Sequence, residues 1–452
     1  MEPSCIAVLD NGACTVKCGR TSVSYDDQPR LITNAVVRSR GDKATYIGHE
    51  FDQCRDFSSL HYRLPFEKGY LVDWDAQKAV WDGIFSDEVL KINPSESSLL
   101  ITEPYFNLPN LQEVYDQFVF EEYEFHSYFR STPAALIPHG TLYGNSSSAP
   151  PECMLVVDSG FSFTHVVPIM EGSIVWSAVK RLDVGGKLLT NRLKELVSFR
   201  QWNMMDETYI MNEVKESCCY VSVDYRRDLD MCRWDPRKNP ILQEYILPNF
   251  SANRNGRIRK AGELINEADQ ILYMNNERFS VPETIFHPSD IELQQQGLPG
   301  AIASSISLLP EDVQGLFWVN IGLIGGNTKF PGFCDRLMLE LRSLAPSDVE
   351  VKVYTAADPT TEAYKAALAF ARNSAFPSHV VTRAEYQESG SNACRRKFKD
   401  WRSSDRGVDQ TLDRRKGKAP MQDSDEEPSS APRKGGRTRN RTGIQPSGPR
   451  RR

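Results

Sequence analysis

The chain has 452 residues, of which 40% are hydrophobic and 25% charged, and its net charge is −6. These totals leave room for two to three globular domains and exclude a body that coats nucleic acid through uniform positive charge. The charge is split, because residues 401–452 hold 14 Lys and Arg against 7 Asp and Glu, a net +7 that leaves −13 for the rest, so body and tail are expected to have different jobs.

The N-terminal MEPSCIAVLDNG has no basic region followed by an apolar run, so no secretory signal is expected. No apolar stretch approaches the ~20 residues that span a bilayer. The 10 cysteines form no CxxC pairs and read as free thiols in a reducing compartment. A soluble intracellular protein without membrane partners is the expectation.

The first element, CIAVLDNGACTVKCGR, is an apolar strand, an Asn11-Gly12 turn and a second strand. YLVDWDAQKAVWDGIF has Trp74, Val80, Trp81 and Ile84 at helical spacing after an acidic start. SLLITEPYF reads as a buried strand ending in Glu103-Pro104, NLQEVYDQFVFEEYEF as a helix, and GNSSSAP as a polar connector. CMLVVDSGFSFTHVVP then repeats the opening pattern, with Asp158 in the place of Asp10, so two related halves are expected. VGGKLLTNRLKELVSFR and DETYIMNEVKESCCYVSVD read as helices. Residues 234–262 read as an irregular, polar and basic insertion exposed to partners. FWVNIGLIGGNTKFPGFCDRLMLELRSL is a third strand, glycine turn and helix. Beyond Lys397 order is expected to fade, since the tail is rich in Pro, Gly, Ser and Arg and has few apolar residues to bury.

Three glycine turns follow apolar strands: Asp10-Asn11-Gly12, Asp158-Ser159-Gly160 and Gly325-Gly326-Asn327. Backbone N–H groups at such turns face phosphate oxygens well, and glycine permits close approach. Asp10 and Asp158 suit a divalent ion held through its water shell, because magnesium dehydrates reluctantly. Lys17 on the second strand can reach back to a phosphate. The expectation is a nucleotide cleft between the halves.

LDNG…K, VDSG…THVVPI, RLDVGGKLLT, VKESCCYVSVD and GLIGGNTKFPGFCDRL resemble, in order and spacing, the phosphate, hinge and adenosine elements of the actin family. The resemblance implies an α/β, actin-like ATPase fold of duplicated RNase H-like halves with four subdomains. It implies a first half over 1–150 with subdomain 2 at about 33–63, and a second half over 151–353 with subdomain 4 at about 184–278. A return to the first half would follow over 354–400, then a disordered basic tail over 401–452. It implies ATP or ADP with Mg2+ as cofactor. Asp10, Gly12, Ala13, Cys14, Thr15 and Lys17 would form phosphate loop one, and Asp158, Ser159 and Gly160 loop two. His165 keeps its family place. Gly186, Lys215 and Glu216 would lie near ribose and adenine, and Gly325 and Gly326 in the adenosine loop.

The chain also departs from the family. Actins have Ser and Gly where Ala13 and Cys14 stand, and Asp-Gly where Phe161 and Ser162 stand; Thr15 is a substitute for the lost hydroxyl. The actin segment that carries the water-orienting glutamine aligns with STPAALIPHG, which puts Ser131 in the glutamine's place with Pro133 close by. Loss of one preorganised polar group costs roughly 10²–10³ in rate, so no catalytic residue is assigned and a nucleotide-binding pseudo-ATPase is expected. Phe161 either crowds the phosphates or turns into the core of the second half. The segment after RSRGDKATYIGHE is shorter than in actins, where a loop makes subunit contacts, so no self-filament is expected. The alternative is an active actin-fold ATPase or phosphotransferase.

LPFEKGYLVDWD, ITEPYFN, FEEYEFHS and VVTRAEYQESGSNACRRKF resemble, more narrowly, a nuclear branch of that family. That likeness implies a structural subunit of a SWR-type chromatin remodeller that replaces a core histone with its Z variant. Its partners would be the motor subunit and a zinc-finger HIT-type subunit, with histones or nucleosomal DNA met through the complex. Localisation would be the nucleus, and also the cytoplasm. The tail clusters DRRKGK and RKGGRTRNR suit an import receptor or nucleic-acid phosphates without base readout.

Overall fold

The computed structural model describes residues 5–21, 28–144, 149–233, 239–252, 254–266, 269–398 and 401–402. Its frame is two six-stranded sheets built on one plan. In the first half, strand Cys5–Asn11 pairs antiparallel with Thr15–Arg20 and parallel with Ser97–Thr102, which pairs parallel with Ser127–Ser131. In the second half, Cys153–Ser159 pairs antiparallel with Thr164–Met170 and parallel with Ile321–Ile324, which pairs parallel with Val353–Thr355. Each hairpin gains a third antiparallel strand, Arg30–Thr33 or Lys180–Leu182.

The repeat holds residue by residue. Asp10 faces Lys17 and Asp158 faces His165 across the two hairpins, and the last pairs, Asn11 with Val16 and Ser159 with Thr164, each enclose a four-residue turn. Register is fixed because a slip of one residue would turn the buried face of each strand outward. The central strands are buried on both faces, as their near-continuous apolar runs require.

Helix Glu362–Ala371 lies between the halves. Tyr364, Ala366, Ala367 and Phe370 pack with Val8 and Leu100 of one sheet and Met154, Val156 and Val167 of the other in one apolar core. The Tyr364 ring lies so close to Gly19 that a Cβ there would meet its hydroxyl at 1.8 Å. Strand Val381–Thr382 returns to the edge of the first sheet beside Tyr128.

Each half carries a smaller lobe. Ala44–Ile47, Val36–Ser39 and His61–Arg63 form a three-stranded sheet with its own core of Val37, Phe51, Cys54 and Leu60. Gln243–Ile246, Arg257–Ile258 and Ile271–Met274 form another. This corrects the irregular reading of residues 234–262. The strands there are two to four residues long and take their order from pairing with Ile271–Met274, outside the stretch. Residues 234–238 and 253 lie outside the described residues.

The lobes meet. Phe57 stacks on Tyr209 at 4.4 Å between ring centroids and touches Phe250 at 5.7 Å. Ser59 donates its N–H and its hydroxyl to the Glu207 carboxylate at 3.0 and 3.1 Å. At the opposite side of the seam Phe106 packs on Trp176 and on Trp401, whose indole N–H donates to the Asn107 carbonyl at 3.1 Å. The stretch read as a tail therefore begins seated on the body; the rest of it, 403–452, lies outside the described residues. Among the described residues no helix is long and apolar enough to cross a membrane.

Candidate functional site

A cleft of about 640 Å³ runs between the halves. The C-terminal ends of the parallel strands and both hairpin turns open onto it, the usual place for ligands in α/β sheets. Asp10, Gly12, Ala13, Cys14, Thr15 and Lys17 line it from one side, and Asp158, Gly160, Gly186, Lys215, Glu216, Gly325 and Gly326 from the other. Ser159 does not line it. Its buried hydroxyl is shared with Thr164 Oγ1 at 2.8 Å and accepts from Asn327 Nδ2 at 3.2 Å, so it braces the turn from behind.

The first turn is held by a chain of hydrogen bonds. Thr102 Oγ1 accepts from the Asn11 N–H and donates to Asp10 Oδ1, both at 2.9 Å. Lys17 Nζ lies 3.4 Å from Asp10 Oδ2. Asn34 Nδ2 donates to the Gly12 carbonyl at 2.9 Å. A Cβ on Gly12 would stand 2.7 Å from the Thr15 carbonyl, so the close turn requires glycine.

The second turn is tied to its neighbours by Asn327, whose Nδ2 also donates to the Gly160 carbonyl at 2.8 Å. Helix Gly186–Arg200 docks on the same carbonyl through the Gly186 N–H at 3.0 Å. A Cβ on Gly160 or Gly326 would meet nothing closer than 3.8 and 3.7 Å. Both glycines thus leave open space on the cleft wall, which is the room that phosphates and a ribose need. The residues present fit a metal–nucleotide ligand: two carboxylates across the cleft, a lysine on the strand facing Asp10, and glycine turns on both walls.

Charge in the cleft follows burial. Burial pushes the Asp158 carboxyl up to about 6, with the Asp10 charge adding and the Tyr105 hydrogen bond opposing. Burial, then the charge of Arg181, lowers His165 to about 3, so its imidazole is neutral at physiological pH. The Cys14 thiol is exposed to the cleft, yet the protein around it raises its pKa against the pull of Lys17 and Lys215. The Lys215 ammonium is lowered by burial and is committed to Thr190 Oγ1 at 2.9 Å and Asn212 Oδ1 at 2.8 Å. It holds helix Thr208–Cys218 against Gly186–Arg200 more than it faces the cleft.

Two readings of the departures are resolved. Phe161 lines the cleft half-buried, and among the described residues it belongs to none of the packed apolar cores. Ser131 ends its strand beside Thr102 and does not line the cleft, whereas Pro133 does. The residue that fills this part of the floor is Tyr105, which the sequence reading passed over. Its hydroxyl donates to Asp158 Oδ2 at 2.9 Å and accepts from the Ala134 N–H at 3.1 Å, and its ring lies 4.4 Å from His165. Thr102 and Asn34 were passed over too, and Asn327 was named only as the end of a glycine turn. One signal was available: Thr102 ends a strand parallel to Cys5–Asn11, and Tyr105 follows it by three residues in the loop beyond that end.

Residues 1–399 match the family model described as Actin. Among curated relatives, the chain is 51% identical to "Actin-like protein ARP6" of Cryptococcus neoformans, over 87% of this chain and 84% of that protein. It is 41% identical to "Actin-like protein ARP6" of Yarrowia lipolytica, over 86% and 97%. It is 36% identical to "Actin-related protein 6" of Drosophila melanogaster, over 85% and 97%.

Proposed function

The chain belongs to the actin family, and from that premise we propose that it is a non-filamentous nuclear scaffold that holds ATP or ADP with Mg2+ and turns it over little or not at all. The observation that carries this reading is the cleft. Both phosphate turns and both carboxylates line it, while Phe161 stands where an acid is expected and Tyr105 covers the floor beside Asp158.

Asp10 and Asp158 would hold the metal through its waters, the turn amides of Ala13 and Cys14 would face phosphate oxygens, since those of Gly12 and Gly160 are donated to the Asp10 and Phe163 carbonyls, and Lys17 would neutralise charge. A bound magnesium ion supplies charge compensation for the phosphates. The chain's own residues bind, orient and enclose. Phe57 and Ser59 on one lobe reach Tyr209 and Glu207 on the other, so the lobes grip the closed form. No carboxylate stands at position 161 to steady metal-bound water, which disfavours the ATPase and phosphotransferase alternative.

Against a filament, the stretch after RSRGDKATYIGHE runs from the turn Gly48–Gln53 through only residues 54–60 to strand His61–Arg63, which leaves little room for an extended subunit-contact loop. The chromatin role rests on likeness to proteins called actin-related protein 6 and on the motifs quoted above. In this reading the body is a rigid subunit of a SWR-type remodeller that installs the Z histone variant. It would contact the motor chain and a zinc-finger HIT-type subunit, and meet histones or DNA through the complex. The basic clusters after residue 402, which lie outside the described residues, would serve import or phosphate contact.

The test is to purify the full chain with a tag from nuclei and to deplete it in cells. Recovery with a helicase-like motor subunit, together with a fall in Z-variant histone in chromatin, is the expected result. Recovery as a free cytoplasmic monomer with unchanged variant content would end the proposal.

A further inference from the structure

Hydrolysis of a nucleoside triphosphate needs a water. Its oxygen bonds to the terminal phosphorus as the bond to the bridging oxygen of the diphosphate breaks, and its proton leaves to a base or to solvent. Such a water must be held by at least two polar partners. In this cleft the Asp158 carboxylate and the Ala134 N–H form such a pair, on opposite sides of a gap at the floor. The gap is filled by the Tyr105 hydroxyl, which makes the two hydrogen bonds that a water would make.

The ring fixes that hydroxyl in place. Tyr105 is 6% exposed, packs in the core shared by the two sheets, and lies tilted against His165. Its loop is pinned at both ends. Glu103 accepts from Asn107 Nδ2 at 2.8 Å and from Gln112 Nε2, and Phe106, held at φ +54°, packs on Trp176 and Trp401. The hydroxyl therefore cannot swing aside without breaking contacts on both faces of the seam. Neither Ser131 nor Thr132, the polar residues just before Pro133, lines the cleft.

We propose that the Tyr105 hydroxyl is a built-in occupant of the water position, a positioning residue that holds Asp158 and keeps a bound triphosphate intact. This rests on the nucleotide reading of the cleft. It also separates cause from correlate: the missing acid at 161 and the missing glutamine at 131 remove helpers, whereas Tyr105 removes the reactant.

The experiment is Tyr105→Phe in the full chain, which keeps the ring and deletes the oxygen. Two readouts are taken. The first is a crystal structure of the variant without nucleotide, where an ordered water bridging Asp158 and the Ala134 N–H is expected. The second is single-turnover phosphate release from ATP with Mg2+, expected to rise at least about tenfold over the wild-type chain. Should the phenylalanine variant not fold, Tyr105→Leu deletes the same oxygen and serves both readouts. A dry gap together with unchanged turnover, in a variant that still retains ATP, overturns the proposal. The water readout needs no nucleotide. A bridging water in a cleft that retains ATP in neither protein would uphold the occupancy of the position and overturn the nucleotide reading instead.

Discussion

Replacing Arg130 with alanine is expected to destabilise the body by about 3–5 kcal/mol, the usual cost of breaking a buried ion pair from one side. The Arg130 side chain is 2% exposed. Its Nε donates to Glu103 Oε1 at 3.2 Å, and Nη1 donates to Asp116 and to the Gln112 carbonyl. The Phe398 ring lies 5.3 Å from the guanidinium carbon. The loop at Glu103, the helix of Gln112 and Asp116, and the distant Phe398 thus converge on one cation.

Burial works against the arginine's charge, but Glu103 and Asp116 outweigh it and hold the pKa well above the ordinary value. Burial also pushes Asp116 up to about 6, despite Arg130 and the Ser391 and Cys394 side chains beside it. Without the arginine, two carboxyls stay buried with no cation, and they must protonate or draw in water. The melting temperature is expected to fall by about 4–6 °C. Arg130→Lys should recover only part of this, because an ammonium cannot make the forked contact. Calorimetry showing a loss under about 2 °C for the alanine variant would mean that the cluster contributes little. Glu103 also starts the loop that seats Tyr105, so the same variant should loosen the cleft floor.

The second large effect is expected at Gly325. Its φ is +91°, and a Cβ there would meet the Ser159 carbonyl oxygen at 2.3 Å, its carbon at 2.6 Å and the nitrogen at 3.0 Å. All three are backbone atoms of the phosphate turn, so no side chain can rotate away. Backbone strain in this region costs roughly 1–3 kcal/mol for a residue other than glycine, and overpacking adds about 1–3 kcal/mol.

The strand end can relieve the overlap only by moving away from Cys153–Ser159, which would open the second turn. Gly325→Ala should therefore lose both stability and nucleotide retention, the latter by at least about tenfold. Gly172→Ala is the control. It has φ +70° with nothing within 4 Å of the added carbon, so it isolates strain from overlap. Equal losses in the two variants, measured by urea unfolding and fluorescent-nucleotide retention, would show that the overlap at Ser159 does not matter.

Much of this architecture was legible in the sequence because the hairpins announce themselves. Two apolar strands ending in Asp, a small polar residue and glycine fix a turn, a register and a burial pattern at once. The recurrence at Asp158 then implies the duplicated sheets, which share the same seven-residue offset from Asp10 to Lys17 and from Asp158 to His165.

The remainder was hidden for physical reasons. Gln243–Ile246 and Arg257–Ile258 are too short to show alternation and depend on a distant third strand. Tyr105 follows a Glu-Pro pair that reads as a strand end, and nothing local says that its hydroxyl crosses to Asp158, 53 residues on. Ser159 and Lys215 look like ligand-facing groups by type and position, yet their polar atoms are taken up by Thr164, Asn327, Thr190 and Asn212. Phe161 could be assigned to core or cleft only once the neighbouring helix was in place. The Lys187 N–H holds the Phe161 carbonyl at 2.9 Å and so fixes the backbone from which the ring enters the cleft.

The central claim is a cleft that holds nucleotide and does not consume it. The most direct test is the nucleotide content of the full chain isolated with its partners, denatured and resolved by ion exchange. Near-stoichiometric ATP that persists on incubation with Mg2+ is the predicted result. An empty cleft, or ATP converted steadily to ADP by the wild-type chain, would contradict the account.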